Sequence, residues 1–453
     1  MTRTAPVGAV VQRRQPGRWR ALRWAPATFG IVATAEVAIG GANDWATRPA
    51  AALVNLALAA VILLAIAADS RFWRHIRLPS LIFIAALAWA ALPRLLPAPL
   101  ATWFGIPPSL AADRTLPELA EATSRLTLVL AACAVSYRLK GAWPVIQALV
   151  VAGTVYLVWL VVMLAPWQFL LDGQHRRFAA TIGNWNAAGV YFGMIAILSL
   201  AMIQTRPPQH SRLPRWAYGV PLVLNLLFCV ATLSRSALTL TVAGLAIGIF
   251  WQGRSSYLLV STRRRAALIG MVGMVTMMLT YLSADALFPR YLMLSTDSLS
   301  RWDIVTTYFD YTLDSPLWGF GPGSFFDLNR SRLDPATALR FWNFGAAHNA
   351  PLQIALEAGW PAVGLLALAV TLVGRSVARC RWSAENVGLL SALTVLAGAA
   401  MVDIAWNVPA IGAIGCILFG ALWGNPDQPG SGQRRRSRRR SWIGTAGGVP
   451  ATS

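Results

Sequence analysis

The chain has 453 residues, of which 56% are hydrophobic and 13% charged, and its formal net charge is +21. A soluble globular protein has a charged fraction of about 25%, so this composition excludes an ordinary soluble domain. Apolar stretches of about 17–24 residues recur, each long enough to cross a hydrocarbon core of about 30 Å. The sequence therefore predicts an all-α polytopic membrane protein, because the short alternating segments of a membrane β-barrel are absent.

In chain order, the apolar stretches predict about twelve transmembrane helices, at 25–42, 50–68, 78–92, 121–137, 143–166, 187–203, 216–232, 236–252, 266–283, 349–373, 386–402 and 404–423. Between the ninth and tenth spans lies one long polar loop, which is predicted to contain short helices. The predicted organisation is a basic cytoplasmic N-terminus (1–24), nine helices (25–283), the long loop (284–348), three helices (349–424) and a disordered basic tail (425–453).

The distribution of cations predicts the orientation. With both termini cytoplasmic, the segments facing the cytoplasm contain 27 of the 39 Lys and Arg residues. This agrees with the positive-inside rule. We therefore expect the long loop to lie on the outer (periplasmic) side of the membrane. Because topology and anionic lipid headgroups explain the basic charge, no nucleic-acid partner is predicted.

Neither a metal nor a cofactor is predicted. The four cysteines lack metal-ligand spacing and lie outside the outward loops where a disulfide would form. Only His175 and His348 face outward, too few for a His-rich site. Acidic residues within spans are few (Glu36, Glu357 and Asp403), which weakens a coupled-transporter interpretation without excluding it.

Arg235 lies in a very short outward connection between two spans. One interpretation is an interfacial anchor; the other is an arginine that binds an anion at the mouth of a cavity. His348 closes the long loop at the start of a span. It is either a polar residue that begins a helix or a general base, since imidazole titrates near neutral pH.

The long loop has its own predicted elements. Residues 300–309 have apolar positions at helical spacing, which predicts an amphipathic helix at the membrane interface. Residues 314–316 end this helix, and the Gly-rich segment 319–324 predicts a tight turn. That turn is either an anion-binding backbone nest or a packing turn. No dinucleotide fingerprint fits, because no strand precedes it.

Taken together, these outward features resemble the O-antigen ligase and polymerase superfamily of bacterial inner-membrane glycosyltransferases. The matching pieces are 183–191 (GNWNAAGVY), 232–236 (TLSRS), Arg301, 314–325 (DSPLWGFGPGSF), and His348-Asn349 with Leu352, Glu357 and Gly359. The order and spacing of these pieces match those of the superfamily over about residues 181–364. Two departures, Trp185 and the pair Trp360-Pro361, fall where they could reshape the acceptor side.

The resemblance implies transfer of a glycan from an undecaprenyl-diphosphate carrier to a periplasmic acceptor, such as lipid A–core or another glycan. It implies that Arg235 and Arg301 bind the diphosphate and that His348 activates the acceptor hydroxyl. Arg176 or Arg177 adds a further phosphate contact or lies at the interface, and Asn184 and Asn186 are structural. Three functions stay open: a ligase, a polymerase of the same superfamily, and a transporter or structural membrane protein.

Reporter fusions test the predicted topology. Alkaline phosphatase is active only outside the cytoplasm, so fusions within 290–345 should be active and fusions in the tail after 425 inactive. Activity measured for each fusion, corrected for its expression, provides the check. Cytoplasmic placement of 290–345 would overturn the topology.

Overall fold

The computed structural model describes residues 20–44, 46–163, 178–205, 214–255, 294–333, 341–380 and 382–425, together with residues 270, 273 and 338. This part of the chain is helical and contains no strand. Its α-helices are α1 (Ala25–Ala38), α2 (Thr47–Ile66), α3 (Ser70–Leu95), α4 (Ala98–Trp103), α5 (Ala112–Leu139), α6 (Trp143–Met163), α7 (Trp185–Gln204), α8 (Gly219–Ala231), α9 (Arg235–Ser255), α10 (Leu294–Thr312), α11 (Phe325–Arg332), α12 (Ala350–Ala378), α13 (Ala384–Val402) and α14 (Pro409–Gly424). Short 3-10 helices lie at Arg20–Arg23, Ala180–Ile182, Arg215–Tyr218 and Ala405–Asn407.

The described helices confirm a multi-pass, all-α protein. Seven of them are long and apolar enough to cross a membrane: α2, α3, α5, α6, α7, α12 and α13. The apolar helices α1, α8 and α14 and the apolar part of α9 (Arg235–Trp251) are shorter. Every predicted span except 266–283 overlaps one of these eleven, and 266–283 lies largely outside the described residues. The total of twelve spans stays a prediction.

Helix α7 lies at the centre of one half of the bundle. Its sequence is apolar on all sides, which is typical of a helix surrounded by others, and 89% of its most apolar stretch is buried. It packs against α6, α8, α9 and α13. Gly189 and Gly193 face α9, where a Cβ on either would meet Ala237 or Thr241. Small residues therefore set the close approach of α7 and α9.

Helix α5 organises the other half, where it contacts α2, α3 and α14. Gly420 and Gly424 of α14 lie directly against the backbone of α5, because a Cβ on them would overlap the carbonyl groups of Val129 and Cys133. Helix α1 packs against both α6 and α14, which joins the two halves.

Helix α12 is broken at Gly359, whose φ of 77° and ψ of 167° are not helical. Since Pro361 has no N–H, the Glu357 carbonyl has no partner four residues on. The segment 316–321 fills this break. Phe320 N–H donates to Leu356 O (2.8 Å), Gly321 N–H donates to Glu357 O (3.0 Å), and Trp360 N–H donates to Pro316 O (2.9 Å). The Gly-rich turn is thus joined to the membrane helix by backbone hydrogen bonds.

Helices α10 and α11 and residues 341–347 form a small lobe with its own apolar core, here called the loop lobe. The core comprises Ile304, Tyr308, Phe325, Leu328, Phe341, Ala347, Leu352 and Leu356. The last two belong to α12, so the lobe is packed onto the bundle. Burial raises the pKa of Tyr308, which keeps its hydroxyl protonated and donating to Asn329 Oδ1 (2.9 Å). The predicted helix at 300–309 is confirmed as part of α10.

Gly189→Ala tests the packing of α7 on α9. A Cβ at Gly189 would lie 2.7 Å from Ala237 Cβ and 2.8 Å from Thr232 Oγ1, so the helices must separate. Overpacking of this kind costs about 1–3 kcal/mol. Gly248→Ala in α9 is the matched control, because its Cβ would make ordinary contacts at 3.8 Å. In thermal unfolding in detergent, Gly189→Ala should have a lower midpoint temperature than Gly248→Ala. Equal midpoints would contradict this packing.

Candidate functional site

Three helices that carry the predicted site begin with a capped N-terminus. Asn184 Oδ1 accepts from Ala187 N–H at the start of α7 (2.9 Å), and Asn349 Oδ1 accepts from Leu352 N–H at the start of α12 (2.9 Å). Ser234 Oγ accepts from Ala237 N–H at the start of α9 (3.3 Å). Helix N-termini carry partial positive charge and favour anions.

Hydrogen bonds bring these helix starts to the same end of the bundle. Asn186 Nδ2 donates to Asp403 Oδ2 (2.6 Å), and Asn349 Nδ2 donates to Met401 O (3.0 Å). Both contacts lie at the C-terminal end of α13, so the starts of α7 and α12 meet there. The start of α9 joins them because Gly189 of α7 packs against Thr232 and Ala237. Asn184 and Asn186 therefore have structural contacts, in agreement with the prediction for them.

Arg235 is the first residue of α9 and is half-buried. The turn before it is tight: Leu233 has a φ of 51°, and its N–H donates to Val230 O (2.8 Å). Thr232 Oγ1 accepts from Ser234 N–H (3.3 Å), which closes the turn. This geometry fixes where Arg235 leaves the backbone. Its guanidinium and the N-terminus of α9 together make this end of the helix positive.

His348 immediately precedes the N-cap of α12 and has a φ of 55°. This left-handed conformation is uncommon for a residue other than glycine and is often found at functional sites. Its Nδ1 lies 2.9 Å from Ala346 O, and its ring lies 4.6 Å from the ring of Phe344. A carbonyl can only accept, so Nδ1 carries the proton in this contact. The neutral ring then has its lone pair on Nε2.

The remaining predicted residues are less fully described. Arg301 lies within α10, but its side chain is outside what the structure describes. Arg176 and Arg177 lie outside the described residues. The structure thus brings Arg235 and His348 to one end of the bundle, and the roles of the other three arginines stay predictions. No group of three or more His, Cys, Asp or Glu side chains suited to a metal occurs in the described ranges.

The motifs did not point to a partly buried charge network between α2 and α5. Arg48 of α2 pairs with Glu118 of α5 (2.8 Å) and with Glu121, and Glu121 also pairs with Arg125. Arg125 donates to Trp406 O (3.2 Å) and lies over the Trp406 ring. The sequence of α5 could have indicated part of this network, because Glu118, Glu121 and Arg125 lie three and four positions apart on one helix. The network joins α2, α5 and the segment before α14.

The Gly-rich turn lies beside this network and is a packing turn. Glu357 Oε2 accepts from Gly323 N–H (3.1 Å), while Thr115 Oγ1 donates to Pro322 O (3.3 Å). The amides of Gly319, Phe320 and Gly321 also donate to protein carbonyls. Since these N–H groups are used within the protein, the structure decides against the anion-nest interpretation.

The comparison with known families agrees with the motifs. Residues 220–369 match the family model described as O-antigen ligase. The match confirms the resemblance to the O-antigen ligase superfamily and includes Arg235, Arg301 and His348, while 183–191 lies outside it. It supports a membrane glycosyltransferase of the ligase or polymerase type, acting in polysaccharide biosynthesis. No curated protein matches the chain.

Glu121→Gln tests the charge network. The Glu121 side chain is 8% exposed and contacts two arginines, so its loss leaves both without part of their counter-charge. Breaking a buried pair in this way costs about 3 kcal/mol. Asp314→Asn is the control, because it breaks an ion pair whose carboxylate is 53% exposed, which costs about 1 kcal/mol or less. Denaturant unfolding should show a larger loss of unfolding free energy for Glu121→Gln than for Asp314→Asn. The reverse order would contradict a stabilising network.

Proposed function

We propose that the protein transfers a glycan from undecaprenyl diphosphate to a hydroxyl of a periplasmic acceptor, in the manner of an O-antigen ligase. The supporting observation is that Arg235 and His348, far apart in sequence, lie at one end of the bundle beside three helix N-termini. Both residues fall in the region that matches the O-antigen ligase family. An arginine for an anionic leaving group and a base for a hydroxyl are the two groups this reaction needs.

The donor side is assigned to Arg235. When the bond between the sugar and the diphosphate breaks, negative charge develops on the diphosphate oxygens. A guanidinium can hold such oxygens in bidentate fashion, and cations fixed in advance stabilise the charge without reorganisation. The N-terminus of α9 adds to the same positive potential. Arg301, Arg176 and Arg177 are proposed as further diphosphate contacts.

The acceptor side is assigned to His348. Its Nε2 takes the proton from the acceptor hydroxyl while that oxygen attacks the anomeric carbon of the donor glycan. The new glycosidic bond forms, the bond to the diphosphate breaks, and the lipid diphosphate leaves. The contact from Nδ1–H to Ala346 O fixes the tautomer and the ring orientation that this role requires.

Three single substitutions test this assignment: Arg235→Ala, Arg301→Ala and His348→Ala. Each should lower transfer of lipid-linked glycan by about 100-fold or more, since a general base alone contributes about 10²–10⁴. Because position 348 has a positive φ, His348→Asn is a second variant that suits this backbone. Transfer is measured with purified protein in lipid nanodiscs.

Two exposed residues provide controls, Arg94→Ala and His75→Ala. Both should transfer glycan at the wild-type rate, and all variants should insert into the membrane normally. Near-normal transfer in Arg235→Ala, Arg301→Ala and His348→Ala would overturn the enzyme assignment.

The glycan profile of a deletion strain separates a ligase from a polymerase, which share the donor chemistry. A ligase predicts loss of polymer from the acceptor while lipid-linked polymer accumulates. Loss of chain length with single repeat units still attached would assign the polymerase instead.

A further inference from the structure

Arg330 of α11 is exposed on the loop lobe and lies over two aromatic rings. Its guanidinium carbon is 4.1 Å from the centre of the Phe326 ring and 4.8 Å from the centre of the Trp342 ring. Both distances are within the cation–π range of about 6 Å. The guanidinium therefore has cation–π contacts with two rings on the protein surface.

Neighbouring arginines differ from Arg330 in their partners. Arg332 forms an ion pair with Asp314, and Arg114 forms one with Asp327 (3.5 Å). Among the residues that the structure describes, no carboxylate pairs with Arg330. The N–H edge of a guanidinium matches the two oxygens of a carboxylate or phosphate.

Trp342 extends this site beyond a single charge. Its side chain is 51% exposed although it contacts Arg330. A half-exposed indole next to a cation suits a pyranose ring that bears an anionic group, because the C–H groups of such a ring pack on aromatic surfaces. A phosphate or carboxylate alone would leave the indole face uncovered. The combination favours an acidic sugar over the headgroup of an anionic lipid.

The site is connected to His348 through the loop lobe. Asn329, next to Arg330, donates to Phe341 O (2.8 Å) and Phe344 O (3.4 Å), which flank Trp342. The Phe344 ring contacts the His348 ring at 4.6 Å. Trp342 and His348 are six positions apart in the chain, so their Cα atoms are at most about 22 Å apart. An oligosaccharide can extend over this distance.

We propose that Arg330 and Trp342 form a binding site for an acidic sugar of the acceptor glycan, a pyranose bearing a carboxylate or phosphate. This inference rests on the proposed function, because the acceptor hydroxyl must reach His348. Arg330 binds the anionic group, Trp342 covers the sugar ring, and neither takes part in bond making. The site selects the acceptor and leaves the donor chemistry unchanged.

Ligand binding tests the site without requiring catalysis. Full-length protein in nanodiscs of phosphatidylcholine is titrated with glucose 6-phosphate, glucuronic acid, glucose and inorganic phosphate, with binding followed by isothermal titration calorimetry. The two acidic sugars should bind at least about tenfold more tightly than glucose or phosphate, the size of one charge-assisted hydrogen-bonded contact. Arg330→Ala should remove this preference. Arg330→Lys should weaken it, since lysine lacks the planar fork.

The other variants separate the two parts of the site. Trp342→Ala should bind glucose 6-phosphate no better than inorganic phosphate, while Arg94→Ala, at another exposed arginine, should bind as the wild type does. Wild-type binding by Arg330→Ala, or an equal loss in Arg94→Ala, would overturn the proposal. The proposal would also be overturned if phosphatidylglycerol in the nanodisc abolished the preference for acidic sugars. The site would then bind lipid headgroups.

A transfer assay relates the site to the reaction. With an acidic acceptor, Arg330→Ala should raise the KM for the acceptor about tenfold and leave kcat near the wild-type value. Equal losses of kcat in Arg330→Ala and His348→Ala would contradict a role confined to acceptor binding. If the wild type binds acidic sugars but transfers no glycan, the proposed function fails while the binding site stands.

Discussion

The break in α12 at Gly359 is the constraint on which the rest of the structure depends. A backbone group within a membrane must be satisfied by the protein itself, and Pro361 removes the donor that Glu357 O would otherwise have. The N–H of Gly321 donates to Glu357 O instead, and the N–H of Phe320 donates to the preceding carbonyl, Leu356 O. Gly319 and Gly359 permit this contact, since both have positive φ and a Cβ on Gly319 would lie 2.6 Å from the Ala358 backbone N. The loop lobe is thereby held rigidly to the bundle.

This attachment explains how a long polar loop can contribute to a precise site. Leu352 and Leu356 of α12 complete the core of the loop lobe, so His348 is held between the lobe and the bundle. On the bundle side, Asn349 and Asn186 both reach the end of α13, which fixes His348 relative to α7. Arg235 is fixed in turn by the packing of α7 on α9. The proposed donor and acceptor groups thus belong to different elements that meet at one end of the bundle.

Much of this could be predicted from the sequence because the signals are local. Apolar stretches gave the helices, helical spacing at 300–309 gave α10, and the motifs pointed to Arg235 and His348. The ion pairs of Arg48 with Glu118 and Glu121 could not be predicted, because they join α2 to α5 across a tertiary contact. The same holds for Arg330, whose partner Trp342 lies on a different segment. The role of the Gly-rich turn could not be predicted, because only its hydrogen bonds to α12 distinguish a packing turn from an anion-binding nest.

The proposed reaction requires a lipid diphosphate to bind at the end of the bundle that carries Arg235, facing His348. Cryo-electron microscopy of the full chain in nanodiscs with undecaprenyl diphosphate measures this directly. We expect density for the diphosphate at the N-terminus of α9, in contact with the Arg235 guanidinium and on the same side as His348. Diphosphate density at the opposite end of the bundle, or density unchanged in Arg235→Ala, would contradict it.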